Sequence, residues 1–368
     1  MSLEAQPEFL AEELVRWGAL RGKACFNCGN CSAICPLAET NPFYPRQVIR
    51  YTQLGATKKI LGSPAIWLCY HCGECTTMCP RQADPGEVVM SLRRWAIAQY
   101  DWTGLGKILY RSPWLSLVFY LAAAALAGLV FYFFHGPLDM EKVRLHLFLP
   151  THLIDVCGLS LGALVLFTLG INLYRMNSWY RSEYGSLPLD VRELLRTFWE
   201  EVVIQRRYQK CEDKSKWMMH ASMVNGFLLL FLTTALAFLL NPEGDPEKLP
   251  LAVRLLGTVG GFSLVFGALV ANWRRFTGKE VYNHFTDWIF LELVLLAGLT
   301  GLALELLVAL NLPMASYLLY ALHLIVVFLL ILTAPYSKFA HALYRFLAVY
   351  AFRLEKREQA TSEVAKVS

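Results

Sequence analysis

Six long apolar runs constrain this chain more than any other feature. Residues 114–134, 151–173, 217–240, 253–273, 287–310 and 315–335 are each close to the roughly 20 residues a helix needs to cross the hydrocarbon core of a bilayer. A backbone in lipid has to satisfy its own N–H and C=O groups, so runs of this length predict membrane helices, six in all. A hydrophobic content of 56% and a mean hydropathy of +0.40 agree, because a wholly soluble chain of 368 residues carries more polar surface. The formal charge of +5 is modest, and its arginines and lysines gather beside the ends of the runs. That pattern points to membrane topology and anionic headgroups, and with no basic-aromatic interleaving it points away from nucleic acid.

The first part, up to about Tyr100, is polar and carries one cysteine phrase twice. Cys25, Cys28, Cys31 and Cys35-Pro36 spell C-x-x-C-x-x-C-x-x-x-C-P, and Cys69, Cys72, Cys75 and Cys79-Pro80 repeat it. Three thiolates at that spacing wrap one iron-sulfur cubane and the proline-followed fourth reaches to the neighbouring one, so the phrase predicts two [4Fe-4S] clusters. Cross-ligation assigns Cys25, Cys28, Cys31 and Cys79 to one cluster and Cys69, Cys72, Cys75 and Cys35 to the other. Structural zinc favours paired C-x2-C halves with a longer spacer. Disulfides need an oxidising compartment, and no charged n-region followed by an apolar h-region opens the chain, so a reducing compartment is expected. His71, between two ligands, is placed to hydrogen-bond a sulfur.

Helical punctuation surrounds the quartets. Glu4 to Leu20 has apolar residues at helical spacing, the stretch from Tyr44 starts near a proline and stops at Gly55, and Pro85 to Ala98 reads the same way. With no strand hairpins in view, an all-α, helical ferredoxin-like domain is expected over residues 1–105, followed by a transmembrane bundle over 106–345 and a tail over 346–368.

The polar connection between the second and third runs holds Arg175, Arg181, Arg192, Arg196, Arg206, Arg207, Lys210 and Lys214. The loop from Asn241 to Pro250 has Lys248 against Glu243, Asp245 and Glu247. The positive-inside rule puts the long connection in the cytoplasm, and counting spans puts the cluster domain there too, beside Arg274, Arg275 and Lys279. The protein is therefore expected in the inner membrane with its iron-sulfur domain on the cytoplasmic side. Pro188 to Ile204 reads as an amphipathic helix for the membrane surface or a partner.

Histidines near membrane runs are candidate haem ligands, since polar groups in lipid are costly. His220 lies inside the third run. His323 and His341 are both expected on the last long helix, where their separation of 18 residues makes five whole turns, about 27 Å along one face. That predicts two b haems, the inner one between His220 and His341. His323 needs an outer partner. His152 either fills that place or caps its helix start. His135, His146 and His284 are expected to be solvated. Asp155, Glu292 and Glu305 are expected to be buried acids of the second and fifth runs, with Asp155 and Glu305 placed to handle quinol protons.

The doubled cysteine phrase resembles the small iron-sulfur subunit of heterodisulfide reductases. The runs bearing His220, His323 and His341 resemble the cytochrome b subunit of those enzymes and the gamma-like cytochrome b of respiratory nitrate reductase. A chain joining both halves resembles the C subunit of quinone-interacting membrane-bound oxidoreductase complexes. That resemblance implies electron exchange between the quinone pool, menaquinone in particular, and two flavin-containing, heterodisulfide-reductase-like cytoplasmic subunits, with adenylylsulfate reductase as the exchange partner. The other reading is the membrane arm of a heterodisulfide reductase or a sulfite-linked oxidoreductase using menaquinone or methanophenazine. Leu230 stands where the nitrate-reductase-type cytochromes place a second ligand about ten residues after the one His220 matches.

Overall fold

The computed structural model describes residues 5–38, 41, 44–210, 213–245, 248–278 and 284–367; Glu4, Glu247 and Lys279 lie outside them. No strand occurs among the described residues. In chain order the α-helices are α1 (Asn30–Ala33), α2 (Arg46–Leu54), α3 (Thr57–Gly62), α4 (Ala65–Leu68), α5 (Glu74–Thr77), α6 (Pro85–Tyr100), α7 (Leu105–Arg111), α8 (Pro113–Phe134), α9 (Leu145–Phe148), α10 (Thr151–Tyr184), α11 (Val191–Thr197), α12 (Lys214–Leu240), α13 (Leu251–Phe276), α14 (Phe285–Ala309), α15 (Pro313–Leu332) and α16 (His341–Val367). The helices α8, α10, α12, α13, α14 and α15 are long and apolar enough to cross a membrane. They coincide with the six apolar runs.

Local chemistry sets the boundaries. Pro113 opens α8, where its missing N–H costs nothing, and the Ser112 side chain accepts from the Leu115 N–H. Pro85 and Pro313 open α6 and α15 in the same way. Gly55 ends α2 with φ +60°, and a side chain there would also run into the Gln6 carbonyl.

The chain divides into two compact units. The first joins residues 1–111, 168–214 and 335–368; the second joins 112–167 and 215–334. In the first, Trp67 packs between Tyr100 and Tyr344 at ring-centre distances of 6.4 and 5.3 Å, so α4, α6 and α16 share one aromatic core. Buried Arg94 pairs with Glu87 and donates to the Trp17 carbonyl at 2.8 Å, satisfying a charge that burial alone would penalise. The N-terminal segment is helical but not α-helical, a π turn at Phe9–Glu13 followed by a 3-10 turn at Leu14–Trp17. Leu20, expected on its apolar face, is exposed. The stretch read as a tail begins as core helix, with Val349, Tyr350, Ala351 and Leu354 buried.

In the second unit Leu264, Ala268, Leu291, Val294, Val326 and Leu330 form the core of α13, α14 and α15. Glycine lets α12 and α13 touch: a Cβ on Gly226 would lie 2.5 Å from the Leu264 nitrogen. Such close backbone approach is how membrane helices gain dispersion contact when lipid removes the hydrophobic drive between them.

One expectation fails. His323 and His341 do not share a helix: α15 ends at Leu332, two 3-10 turns span Ala334–Tyr336 and Lys338–Ala340, and His341 is the first residue of α16. Pro335 supplies the reason, having no N–H to continue the ladder. The inferred 27 Å spacing on one face therefore does not hold.

Candidate functional site

The two cysteine phrases fold as copies. Asn27 and His71, two residues after the first cysteine of each, have φ +59° and +55°, and the following Gly29 and Gly73 have φ +94° and +95°. This left-handed turn points backbone N–H groups at sulfur: Asn27 donates to Cys25 Sγ and His71 to Cys69 Sγ, both at 3.3 Å. Ala83 N–H reaches Cys79 Sγ at 3.4 Å. At His71 it is thus the backbone that bonds sulfur, while ring Nε2 stands 4.0 Å from Glu87 Oε2.

The thiols gather four by four. Cys25, Cys28, Cys31 and Cys79 line one recess of about 370 Å³, and Cys35, Cys69, Cys72 and Cys75 line another of about 410 Å³. Among the described residues no three His, Cys, Asp or Glu side chains converge closely enough to hold a single metal ion. Thiols spread around a recess suit a polynuclear cluster better than lone zinc. Burial pushes the Cys35 thiol up to about 11 and raises Cys75 further; Cys31 rises through burial and then through Cys25 and Cys28.

The two recesses differ in their surroundings. Around the first, Cys28 and Phe26 are exposed, Arg81 lies 4.0 Å over the Phe26 ring, and Arg46 Nε donates to Asn27 Oδ1 at 2.6 Å. Around the second, Tyr44 is buried, with its hydroxyl raised first by burial and then by Cys69. Arg93 donates to the carbonyls of Ile66 and Cys69. Arg345 of α16 donates to the carbonyls of Trp67 at 2.9 Å and Cys69 at 2.7 Å. No spacing rule links Arg345 to a carbonyl 276 residues away.

The candidate haem ligands are distributed over both units: His152, His220 and His323 in the second, His341 in the first. His341 Nδ1 meets the Lys338 carbonyl, so the ring carries its proton there and leaves Nε2 as the lone-pair nitrogen. His323 packs over Gly301, where a Cβ would lie 3.2 Å from the ring, and Nδ1 is 2.9 Å from Thr300 Oγ1. Leu230 contacts Gly260, and Gly261 contacts Leu302, next along α14 from Gly301; Leu230 therefore lies near the depth of His323. Along α10 it is Asp155 that comes within electrostatic range of Tyr320, while His152, one turn nearer the helix start, is exposed. The Glu305 carboxyl meets the Thr258 hydroxyl at 2.8 and 3.0 Å. His284, expected to be solvated, is 4% exposed and caps α14, accepting from the Thr286 N–H.

Pro188 to Ile204 forms α11 and a π turn, Phe198–Val203. Its acidic side is held by α16: Arg353 reaches Glu193, Glu200 and Glu201 at 3.4, 2.7 and 3.0 Å, and Arg357 reaches Asp190 at 2.7 Å. Val191, Leu195 and Trp199 are left exposed beside Arg192 and Arg196.

Residues 149–362 match the family Citrate utilization protein B, and residues 21–83 match a 4Fe-4S dicluster domain. Among relatives, a protein of Archaeoglobus profundus similar to the C subunit of heterodisulfide reductase is 37% identical over 25% of this chain and 49% of its own length. Citrate utilization protein B of Escherichia coli is 33% identical over 38% of each. The C subunit of the H(2):CoB-CoM heterodisulfide,ferredoxin reductase of Methanothermobacter thermautotrophicus is 39% identical over 12% of this chain and 24% of its own. The chain thus spans half or less of the length of these relatives. No solved structure matches.

Proposed function

We infer that this chain, which belongs to the citrate utilization protein B family and carries an iron-sulfur domain similar to the C subunit of heterodisulfide reductase, is the membrane electron-transfer subunit of a quinone-linked oxidoreductase. The single observation that carries this reading is the gathering of eight thiols, four by four, around two recesses in a chain with six membrane-length helices among its described residues. Bound clusters supply one-electron carriage; the protein supplies the thiolates, N–H bonds to sulfur and buried cations that fix their potentials. His220, His323 and His341 are the residues that would hold b haem, with Nδ1 of His323 and of His341 engaged by Thr300 and by the Lys338 carbonyl; His152 is the remaining outer candidate. We place the iron-sulfur domain on the cytoplasmic side, facing flavin-containing partner subunits, and menaquinol on the membrane side.

Two assignments of the partner follow. The C subunit of a quinone-interacting membrane-bound complex that serves adenylylsulfate reductase accounts for the fusion of both halves in one chain. The family match over 149–362 favours a second: a redox partner that acts on a carboxylate, since the relative in Escherichia coli is named for citrate utilization.

The test is anaerobic purification of the native complex, with iron, sulfide and haem quantified per chain, followed by mixing with menaquinol. About eight irons per chain, haem bands and bleaching of the iron-sulfur absorbance by the quinol-quinone couple are expected. A colourless, zinc-bearing protein overturns the reading. Native mass spectrometry then separates the assignments, through flavin subunits with adenylylsulfate reductase or through a carboxylate-oxidising partner.

A further inference from the structure

Cys69 is the point where two distant parts of the first unit meet. Its carbonyl accepts from Arg93 of α6 and from Arg345 of α16, and each guanidinium is anchored by a second carbonyl, Ile66 for Arg93 and Trp67 for Arg345. Arg345 is also seated between two rings, 5.8 Å from the centre of Tyr70 and 5.7 Å from that of Tyr208. No carboxylate pairs with Arg345 among the described contacts; its partners are neutral carbonyls and π faces, so its positive charge is left uncancelled. Two acids of this unit are paired elsewhere, Glu87 with Arg94 and Glu201 with Arg207, the latter a cation close enough to Arg345 to feel its charge. Arg46 and Arg81, beside the other recess, are exposed, where water screens them.

We propose that Arg93 and Arg345 are positioning residues that set the reduction potential of the cluster held by Cys35, Cys69, Cys72 and Cys75, and that Arg345 makes that potential depend on the seating of α16. Adding one electron to the cluster adds one negative charge, and a partly buried cation fixed on the backbone of a cluster ligand would stabilise that reduced form more than an exposed one does. The contact to the Cys69 carbonyl fixes the distance. Arg345 comes four residues after His341, so any force that moves the start of α16 also moves the cation at the cluster. This inference rests on the iron-sulfur reading alone, and needs neither a haem nor a named partner.

The experiment is an EPR-monitored redox titration of the full-length protein in detergent, comparing wild type with Arg345→Gln, Arg345→Lys, Arg93→Gln and Arg81→Gln, with iron counted in each. Full iron with two reduced-cluster signals in the wild type upholds the cluster reading separately. The inference expects Arg345→Gln and Arg93→Gln to lower the midpoint of the same signal, each by at least a tenfold change in its reduced-to-oxidised ratio, about 59 mV for one electron. Arg345→Lys keeps the charge and is expected to stay within a third of that shift, and Arg81→Gln is expected to leave that signal in place. Equal movement of both signals, no movement, or a shift in Arg345→Lys as large as in Arg345→Gln overturns it. Should Arg345→Gln shed iron, Arg93→Gln decides, because it leaves both Arg345 hydrogen bonds in place.

Discussion

Thr300 fixes the tautomer of His323. The Thr300 hydroxyl has one proton, which it donates to the Leu296 carbonyl at 2.6 Å, so its contact of 2.9 Å to His323 Nδ1 is made by the imidazole N–H. That leaves Nε2 with a lone pair, the state required of a metal ligand.

Replacing Thr300 by Val removes the oxygen and keeps the shape. If His323 holds a haem, the substitution is expected to weaken haem retention about 10- to 100-fold, the usual effect of losing such an outer-shell partner, and to change the low-spin haem EPR signal. Haem content and spectra identical to wild type would remove His323 from the ligand set.

The eight cysteines are expected to divide in function as they do in space. Cys79→Ser is predicted to lose the cluster of Cys25, Cys28 and Cys31, and Cys35→Ser that of Cys69, Cys72 and Cys75. Each variant should hold about half the wild-type iron, read by elemental analysis with EPR. If Cys79→Ser instead costs the signal lost in Cys72→Ser, each phrase serves its own cluster.

Acid is expected to loosen α11 from α16. Burial alone would raise the Glu200 carboxyl, but hydrogen bonds and charge from Arg353 and Arg196 outweigh it and hold the group below its ordinary range. Asp190 is lowered by the Glu193 N–H and then by Arg357. Because both folded values are depressed, their stabilisation is present above the ordinary carboxylate range and is lost as pH falls through the folded values. Protection against hydrogen exchange over residues 190–203, taken relative to the intrinsic rate at each pH, should fall below about pH 4 and show a weaker pH dependence in Arg353→Gln. A flat profile in the wild type would contradict the clamp.

Gly226 is expected to tolerate no side chain. Gly226→Leu forces α12 from α13, since even a Cβ meets the Leu264 nitrogen at 2.5 Å and the Gly260 oxygen at 2.8 Å. A loss of about 2 kcal/mol or more, the cost of overpacking a tight contact, should appear as a lowered midpoint of thermal unfolding in detergent. An unchanged midpoint would mean that the two helices separate at little cost.

Much of this architecture is legible in the sequence. The ends of α2, α6, α8 and α15 are marked by Gly55, Pro85, Pro113 and Pro313, because those residues act on their own backbone. The spacing leads to the expectation that Cys79 serves the first phrase and Cys35 the second, and in the structure these thiols line the corresponding recesses. The single-helix reading of His323 and His341 fails at Pro335, which a period count passes over while a backbone ladder cannot. His284 looks like a loop residue because a helix-capping role depends on how the chain turns.

What the sequence determined by itself is everything that depends on short-range covalent and solvent chemistry: six apolar lengths matched to a bilayer, two cysteine phrases, and the breaks between helices. Only the tertiary structure decided what surrounds those features. Arg345 reaches the Cys69 carbonyl, Thr300 orients His323, and Arg353 holds three glutamates because α16, α14 and α11 pack against particular neighbours. Such contacts join residues tens to hundreds of positions apart, and no local pattern records them: they exist only once burial has chosen which helix faces meet.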